Sequence, residues 1–513
     1  MSARRVIVVG SGAAGLVAAI AASDAGARVT VLERSEFVGG TTAVSGGGVW
    51  MPAPEERDAA LGYCRRMGAD ERIETFLDRG PGIIKWLQEV TPLRLRPMSW
   101  PDYHPEMEGA AQSGRMFEPA LYRRTSTNPP VRPAPVLGLP ITLEEATVDW
   151  RPSYTPAAFD ARAVRQRVTD GLVATGQALV AALLDACLER GVEFVMSARA
   201  RSLTERDGRI GGVDKRSADA VVLATGGFEW NEALRDRFLG GPLQHPASPP
   251  TNEGDGLVMA MEVGADLGNM TQAWWYPAGI VPGEEYEGHQ LARFVATERT
   301  APHTIIVNRF GQRFVNEAAN YNDMQKAFLH FDANEYANRN LPCWVVFDSQ
   351  YRERYPVLTI RPGAPDPAWL HTAPTLEDLA AGVGIDPDGL RSTVDRWNLN
   401  VAAGHDPDFG RGASAYDRFH GDPGAPNPTL GSVQRAPFYA LDVHAGTVGT
   451  KGGPRTDTRG AILHVRGHAL PGLFGAGNVI ASPAGPAYFG GGTSIALAIV
   501  FGYLSGTAAA AEA

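Results

Sequence analysis

Gly10, Gly12 and Gly15 stand at G-x-G-x-x-G spacing, and an acid, Glu33, closes the apolar run that follows them. Together these residues have the chemistry to hold a pyrophosphate and a ribose. Gly10 permits a tight turn, Gly12 lets phosphate oxygens reach the backbone, and Gly15 lets a helix approach the preceding strand. The backbone N–H groups of Ala13 and Ala14 lie at the start of that helix, where free donors and the positive dipole end favour an anion. Glu33, about 20 residues on, supplies a carboxylate for ribose hydroxyls.

For these groups to meet, Val6–Val9 must be a strand buried on both faces, Ala13–Ala25 a helix, and Arg28–Leu32 a second parallel strand. The stretch therefore reads as the βαβ unit of an α/β, Rossmann-like dinucleotide domain. A second small-residue loop, SEFVGGTTAVSGGG, follows directly after the ribose acid. A nicotinamide domain has no need of a second glycine-rich loop at that point.

The chain has 513 residues, enough for two or three domains and a core that encloses a large cofactor. A net charge of −10 argues against a nucleic-acid or anionic-membrane partner. Three cysteines, Cys64, Cys187 and Cys343, match no metal spacing and read as reduced core thiols, so no metal site is expected. Arg4-Arg5 before an apolar run imitates a secretion signal, but that run is already the first strand. The apolar tail Ile495–Ala511 is short for a membrane span and carries Gly502 and Gly506, so it reads as a buried helix rather than an integral membrane segment. The expectation is a soluble, cytoplasmic protein.

Residues 55–90 carry helical periodicity, whereas Thr91–Tyr154 is Pro-rich and irregular, a loop long enough to be mobile or functional. Leu172–Glu189 reads as a helix, Val192–Met196 as a strand, Leu203–Val213 as a hairpin turning at Asp207-Gly208, and Ala218–Ala224 as a return to the sheet. From Gln272 the pattern changes to strands such as His303–Asn308 and Cys343–Asp348, with a helix–turn–helix at 375–404. The expected division is a cofactor domain over 1–271 with an insertion at about 50–170, a catalytic domain over 272–436, and a return segment over 437–513.

GSGAAG followed by LERSEFVGGTTAVSGGG resembles the FAD-binding domain of the fumarate reductase/3-ketosteroid dehydrogenase flavoprotein superfamily. The resemblance implies FAD, and a Rossmann-like domain with an inserted α+β capping domain. It also implies cofactor contacts from Arg34, Gly40, Thr41, Thr42, Ser45, Gly46 and Gly47. The ATGG turn brings Ala224, Thr225 and Gly226 beside the cofactor, and PGLFGAGNV brings Gly477 and Asn478 near the ribityl chain. Thr493, Ser494 and Ile495 open a helix whose positive end would face the flavin pyrimidine and stabilise the reduced anion.

VNRFGQRFVNEAANYND (307–323) resembles the NRxGxRFxNE segment of the superfamily. Fumarate reductases place a proton-donating Arg four residues after the Glu; here Tyr321 stands there. Their histidine segment is replaced by QAWWYPAG, whose Trp274, Trp275 and Tyr276 imply an apolar pocket, with Arg299 the exception nearby. Tyr321, the GTKGG run at 449–453 and Tyr488 before a glycine cluster resemble the 3-ketosteroid Δ1-dehydrogenases. PMSWPDYHPEMEGAAQSGRMFEP adds Tyr103, which the resemblance places at the substrate.

The implied reaction is desaturation next to a ketone. Tyr488 and a backbone N–H of the Gly490–Gly492 turn, Gly491 among the candidate donors, would polarise the carbonyl. Tyr321 would take the α-proton with Tyr103 as relay, while the β-hydride goes to flavin N5. The substrate is a hydrophobic cyclic ketone, a 3-ketosteroid or a smaller ring, and a separate acceptor reoxidises the flavin. A fumarate-reductase-like alkene reductase and a non-catalytic flavin binder stay open as alternatives. His444 reads as structural.

Overall fold

A computed structural model describes residues 3–125 and 127–512. β1 (Arg5–Val9) runs between two parallel neighbours, β2 (Arg28–Leu32) and the strand Ala220–Leu223, with Val6 opposite Val29 on one side and Ala220 on the other. Val6, Ile7, Val8 and Val9 are all buried, as a strand covered on both faces requires. The sheet runs Ala461–Leu463, Ala469–Gly475, Ala220–Leu223, β1, β2, Glu193–Val195, and only its first strand is antiparallel.

α1 (Ala13–Asp24) is apolar all round because it lies between this sheet and the C-terminal helix Thr493–Ala511. Glycine sets how closely the two helices approach. A Cβ on Gly502 would fall 2.6 Å from the Ala14 carbonyl oxygen, and one on Gly506 2.3 Å from that of Ala18. Both steps are four residues in the same sense, so the helices run parallel. Gly502 lies opposite Ala14, the second residue of α1, so the C-terminal helix starts eight residues ahead of α1 and overshoots it by about 12 Å at 1.5 Å per residue. Two N-termini without a side-chain cap or an acidic residue in the first turn therefore open the same way, one set back from the other. Among the described residues, Thr493–Ala511 is the one helix long and apolar enough to cross a membrane, and 67% of an 18-residue window of it is buried inside the fold.

Gly506→Val is expected to destabilise the protein by about 2–3 kcal/mol, the cost of overpacking a core in which neither backbone can yield. Thermal unfolding checks it, and a melting curve matching the parent would show that the helices do not press together.

A second, seven-stranded sheet carries the other half of the interior. Its main path is His289–Phe294, Ala273–Tyr286, Phe438–Thr450, Cys343–Asp348, Thr304–Asn308, antiparallel throughout; His245–Pro246 and His371–Ala373 pair with Phe438–Thr450. Helices Leu376–Val383 and Pro387–Ala402 cover one face through Leu379, Leu390, Val394 and Trp397.

Some expectations shift. The helix expected from Leu172 begins at Thr175, because Leu172 and Val173 pair as a strand with Arg123 and Tyr122. Trp275 does not join Trp274 and Tyr276, since neighbours on a strand point to opposite faces. It packs with Phe228, Leu234 and Leu257 in a separate cluster. Within the Pro-rich stretch before Tyr154, Leu95–Pro97 and Met116–Pro119 form a small sheet with Val49–Trp50.

Candidate active site

At the end of β1 the chain turns through Gly10 at φ +105°, where a Cβ would fall 2.3 Å from the Ala224 carbonyl oxygen. A Cβ on Gly15 would meet the Gly10 carbonyl oxygen at 2.0 Å, so these two glycines are demanded by the protein itself. Gly12 differs. A Cβ there would approach nothing closer than Thr42 Oγ1 at 3.6 Å, and one on Gly40 would meet nothing within 4 Å. The space beside both is open although the surrounding elements are buried.

Glu33 is buried at that opening. Its Oε2 accepts from the Ser11 N–H (3.1 Å) and hydroxyl (2.6 Å), and its Oε1 from the Ser35 N–H (2.8 Å), which leaves lone pairs for a further donor. Thr42 Oγ1 accepts from the Ala13 N–H at 3.1 Å and so tethers the Gly40–Val44 turn to the start of α1. Arg34 is differently engaged: its guanidinium binds the Thr251 carbonyl, Glu253 and Asp255, leaving only its backbone toward the groove.

Gly10, Gly12, Gly40, Thr41, Thr42, Ser45, Gly46, Thr225, Gly226, Gly477, Asn478, Ser494 and Ile495 all keep partial exposure in the middle of the molecule. Ala13, Ala14, Gly47 and Ala224 are buried behind them. Together they trace a groove from the ribose acid, past the α1 N-terminus, to the C-terminal helix. An open cradle at Gly12, a carboxylate with spare acceptor capacity and two uncapped helix ends fit a flavin dinucleotide. Thr493 is buried and works on the turn instead, its hydroxyl donating to the Gly490 carbonyl at 2.8 Å.

Beyond the far end of the groove, the three tyrosines singled out from the sequence converge from positions 103, 321 and 488. The Tyr103 hydroxyl donates to that of Tyr321 at 2.7 Å. The Tyr103 ring packs against Tyr321 (5.5 Å), Tyr488 (4.9 Å) and a fourth ring, Tyr416 (5.3 Å). Tyr321 stands nearly perpendicular to Tyr488 at 5.8 Å and meets Phe294 at 5.0 Å. Trp274 closes on Tyr488 at 4.7 Å. Burial pushes the Tyr103 and Tyr321 phenols well above their ordinary values; Tyr488 and Tyr416 add to both, while the hydrogen bond from Tyr103 works against the rise at Tyr321.

Each ring is held by a separate device. Tyr103 follows Asp102, a buried carboxylate that accepts from Trp50 Nε1 (2.7 Å), the Ala111 N–H (2.8 Å) and Arg115 (2.8 Å). The Tyr103 N–H itself donates to the Phe489 carbonyl at 2.9 Å, joining the loop to the residue after Tyr488. On the other side, His104 Nε2 meets Asp323 Oδ2 at 2.7 Å, clamping the loop to the short helix Tyr321–Lys326.

Tyr321 is set by the NRxGxRFxNE-like stretch before it. Arg313 grips Glu317 with two bonds of 2.7 Å and reaches on to Asp406. Burial would raise the Glu317 carboxyl, but Arg313 and Arg411 outweigh it and hold it below the ordinary range. Arg299 resolves in favour of structure: it donates to the carbonyls of Val295, Glu317 and Ala319 and so braces the chain just before Tyr321. It is not free to clamp a dicarboxylate.

Behind Tyr488, Lys451 Nζ donates to the carbonyls of Pro486 (3.1 Å) and Ala487 (2.7 Å) and sits 4.1 Å over Trp274. Gly492, at φ +90°, caps the C-terminal helix against the Gly48 backbone, where a Cβ would fall 2.3 Å from a carbonyl carbon. Gly491 faces Met116 and Trp100. His444 pairs with the His245 ring at 4.9 Å, and burial lowers both imidazoles.

Tyr416 and Phe294 escaped sequence reasoning, having no motif around them, and Trp100 was passed over although it lies in the motif that gave Tyr103. Lys451 was visible in the GTKGG run, but not what it braces. Chemically the arrangement offers a hydroxyl pair able to pass a proton, a third phenol on a fixed backbone, and apolar walls that exclude water.

The FAD binding domain family matches residues 5–495. The chain is 38% identical to a 4-oxocyclohexanecarboxylate 2-dehydrogenase of Sinomonas cyclohexanicum, over 99% of this chain and 93% of that protein. It is 35% identical to a 3-oxosteroid 1-dehydrogenase of Mycolicibacterium smegmatis, over 99% and 97%. The crystal structure of 3-ketosteroid delta1-dehydrogenase from Sterolibacterium denitrificans, in complex with 1,4-androstadiene-3,17-dione, superposes with a TM-score of 0.91 at 32% identity, covering 100% of both chains.

Proposed function

The chain belongs to the FAD binding domain family, and on that premise we propose that it desaturates the carbon–carbon bond next to the ketone of an alicyclic substrate, a 3-ketosteroid or a smaller ring. It is an FAD-dependent dehydrogenase. The observation that carries the reading is the Tyr103–Tyr321 hydroxyl pair at 2.7 Å, with both rings meeting Tyr488 edge-on in one aromatic cluster. Relatives of both substrate sizes support the range. One acts by name on an oxocyclohexane acid and the other on 3-oxosteroids.

The carbonyl oxygen lies between the Tyr488 hydroxyl and the N–H of Gly491, two donors aimed at charge that develops as the α-proton leaves. Tyr321 takes that proton, and Tyr103 passes it on along their shared hydrogen bond. FAD, when bound, accepts the β-hydride. Glu33 holds the ribose, the α1 N-terminus the pyrophosphate, and Ser494 and Ile495 the pyrimidine end. In this reading 272–436 is the catalytic unit, the enzyme works in the cytoplasm, and a separate acceptor takes the electrons.

The pH dependence follows from the buried phenols. Because burial raises Tyr103 and Tyr321, both are protonated at neutral pH, and the fraction able to accept a proton grows as pH rises. Rate through the chemical step is expected to climb by up to about tenfold per pH unit without levelling below pH ~10. A rate that falls across pH 7–9 would remove the phenols from the proton path. The reading itself is tested by mixing the oxidised holoenzyme anaerobically with a panel of cyclic ketones. Prompt bleaching of the flavin absorbance is expected; no bleaching with any ketone would end it.

A further inference from the structure

One edge of the aromatic cluster is polar. From Tyr103 the lining continues to Tyr416, then to His420 at 4.5 Å, and His420 stands edge-on to Trp100 at 5.0 Å. Trp100 returns to the donor turn, its Cε3 3.3 Å from where a Cβ on Gly491 would be. His420 is thus separated from the carbonyl-binding turn by the breadth of one indole, comparable with a six-membered ring and its substituent. The His420 Nε2 is enclosed and has no hydrogen-bond partner among the described residues.

Arg151 lies beside it. Its guanidinium stacks over Phe419 at 5.4 Å and makes no hydrogen bond or ion pair among the described residues, although the residue is half-buried and held at φ +41°. Glu144 and Asp422 act on it only from a distance, being spent on Ser99 and on Tyr355 and Arg354. The Tyr154 hydroxyl donates to the His420 carbonyl at 2.8 Å and so fixes the Arg151 turn against the helix Ala415–His420. Burial, with Arg299 and Arg151 adding to it, lowers the His420 imidazole to about 3, so the ring is neutral.

A half-buried guanidinium without a counter-charge and an enclosed ring nitrogen without a partner are both costly unless a ligand satisfies them. A steroid would lay hydrocarbon there and leave both unpaired. We infer that Arg151 and His420 receive a carboxylate, and that the substrate is a monocyclic ketone carrying an acid function across the ring from its carbonyl. The guanidinium supplies a forked pair of donors and the neutral imidazole one more, a set that suits a carboxylate. The inference rests on the desaturase reading and narrows its substrate class.

The test uses the holoenzyme with 4-oxocyclohexanecarboxylate, its methyl ester and a 3-ketosteroid, followed by dye reduction. The acid is expected to exceed the ester in kcat/KM by about 30-fold or more, chiefly through KM, as loss of one member of a buried charge pair implies. R151Q should bring the acid-to-ester ratio to within about threefold, and R151K should restore part of it. Cyclohexanecarboxylate, which has no ketone to oxidise, should inhibit competitively, with an inhibition constant raised about tenfold or more in R151Q. Flavin content and melting temperature confirm that each variant is folded. Equal use of acid and ester, or an equal loss of both in R151Q, would overturn the inference, as would turnover of the steroid with the acid ignored. Those results leave the desaturase reading standing; absence of bleaching with every ketone would instead sink that reading.

Discussion

Tyr321→Phe is expected to lower turnover of a cyclic ketone by about 10²–10⁴-fold, the usual contribution of a positioned acid–base group, with FAD still bound. The substitution keeps the ring that Tyr103, Tyr488 and Phe294 pack against and removes only the hydroxyl. Its stability cost is confined to the Tyr103 hydroxyl, which loses its 2.7 Å acceptor, about 1–2 kcal/mol. A loss of rate far beyond that belongs to the chemistry. The sharpest check is exchange of the substrate's α-protons in D₂O under conditions where no oxidant is present. The parent enzyme should wash deuterium into the ketone, and Tyr321→Phe should not. Tyr103→Phe should slow both processes less, because Tyr103 touches the proton only after Tyr321 has taken it. Retention of turnover within about threefold in Tyr321→Phe would move the base elsewhere and leave the tyrosine cluster a packing feature.

How much of this was legible in the residues depended on how local the cause was. The β1–α1–β2 unit could be read because strand burial, glycine turn and helix start all lie within Arg5–Leu32. Gly502 and Gly506 stood out as glycines in an apolar tail, but only their approach to Ala14 and Ala18 gives the reason. Trp275 shows a local rule misapplied, since three aromatics in a row on one strand cannot share a face. The Leu172 boundary failed for a different reason. Helical periodicity says nothing of a strand partner at Tyr122–Arg123, some fifty residues earlier. The three tyrosines proposed to act on the substrate were reachable through short motifs around them. Tyr416, His420 and Arg151 were not, because their placement is tertiary: a helix end and a turn of the irregular loop meet around Trp100 and Phe419 without any sequence spacing to announce it.

Tyr488→Phe separates polarising the ketone from removing its proton. The Tyr488 ring is fixed by Trp274 at 4.7 Å and by Lys451 on the two carbonyls before it, so phenylalanine should occupy the same position. Losing one preorganised donor to a developing enolate oxygen is expected to cost about 10²–10³ in kcat. The N–H of Gly491 remains in place, so the loss should be incomplete. The two tyrosine variants should then differ in their pH profiles. Tyr488→Phe still presents the Tyr321–Tyr103 pair, so its residual rate should keep the upward slope with pH, whereas Tyr321→Phe should flatten it. Binding should differ too: a saturated cyclic ketone that cannot be oxidised should lose affinity in Tyr488→Phe and keep it in Tyr321→Phe. If Tyr488→Phe left kcat/KM unchanged, the backbone donor alone would carry the carbonyl, and the role of Lys451 behind this loop would reduce to packing.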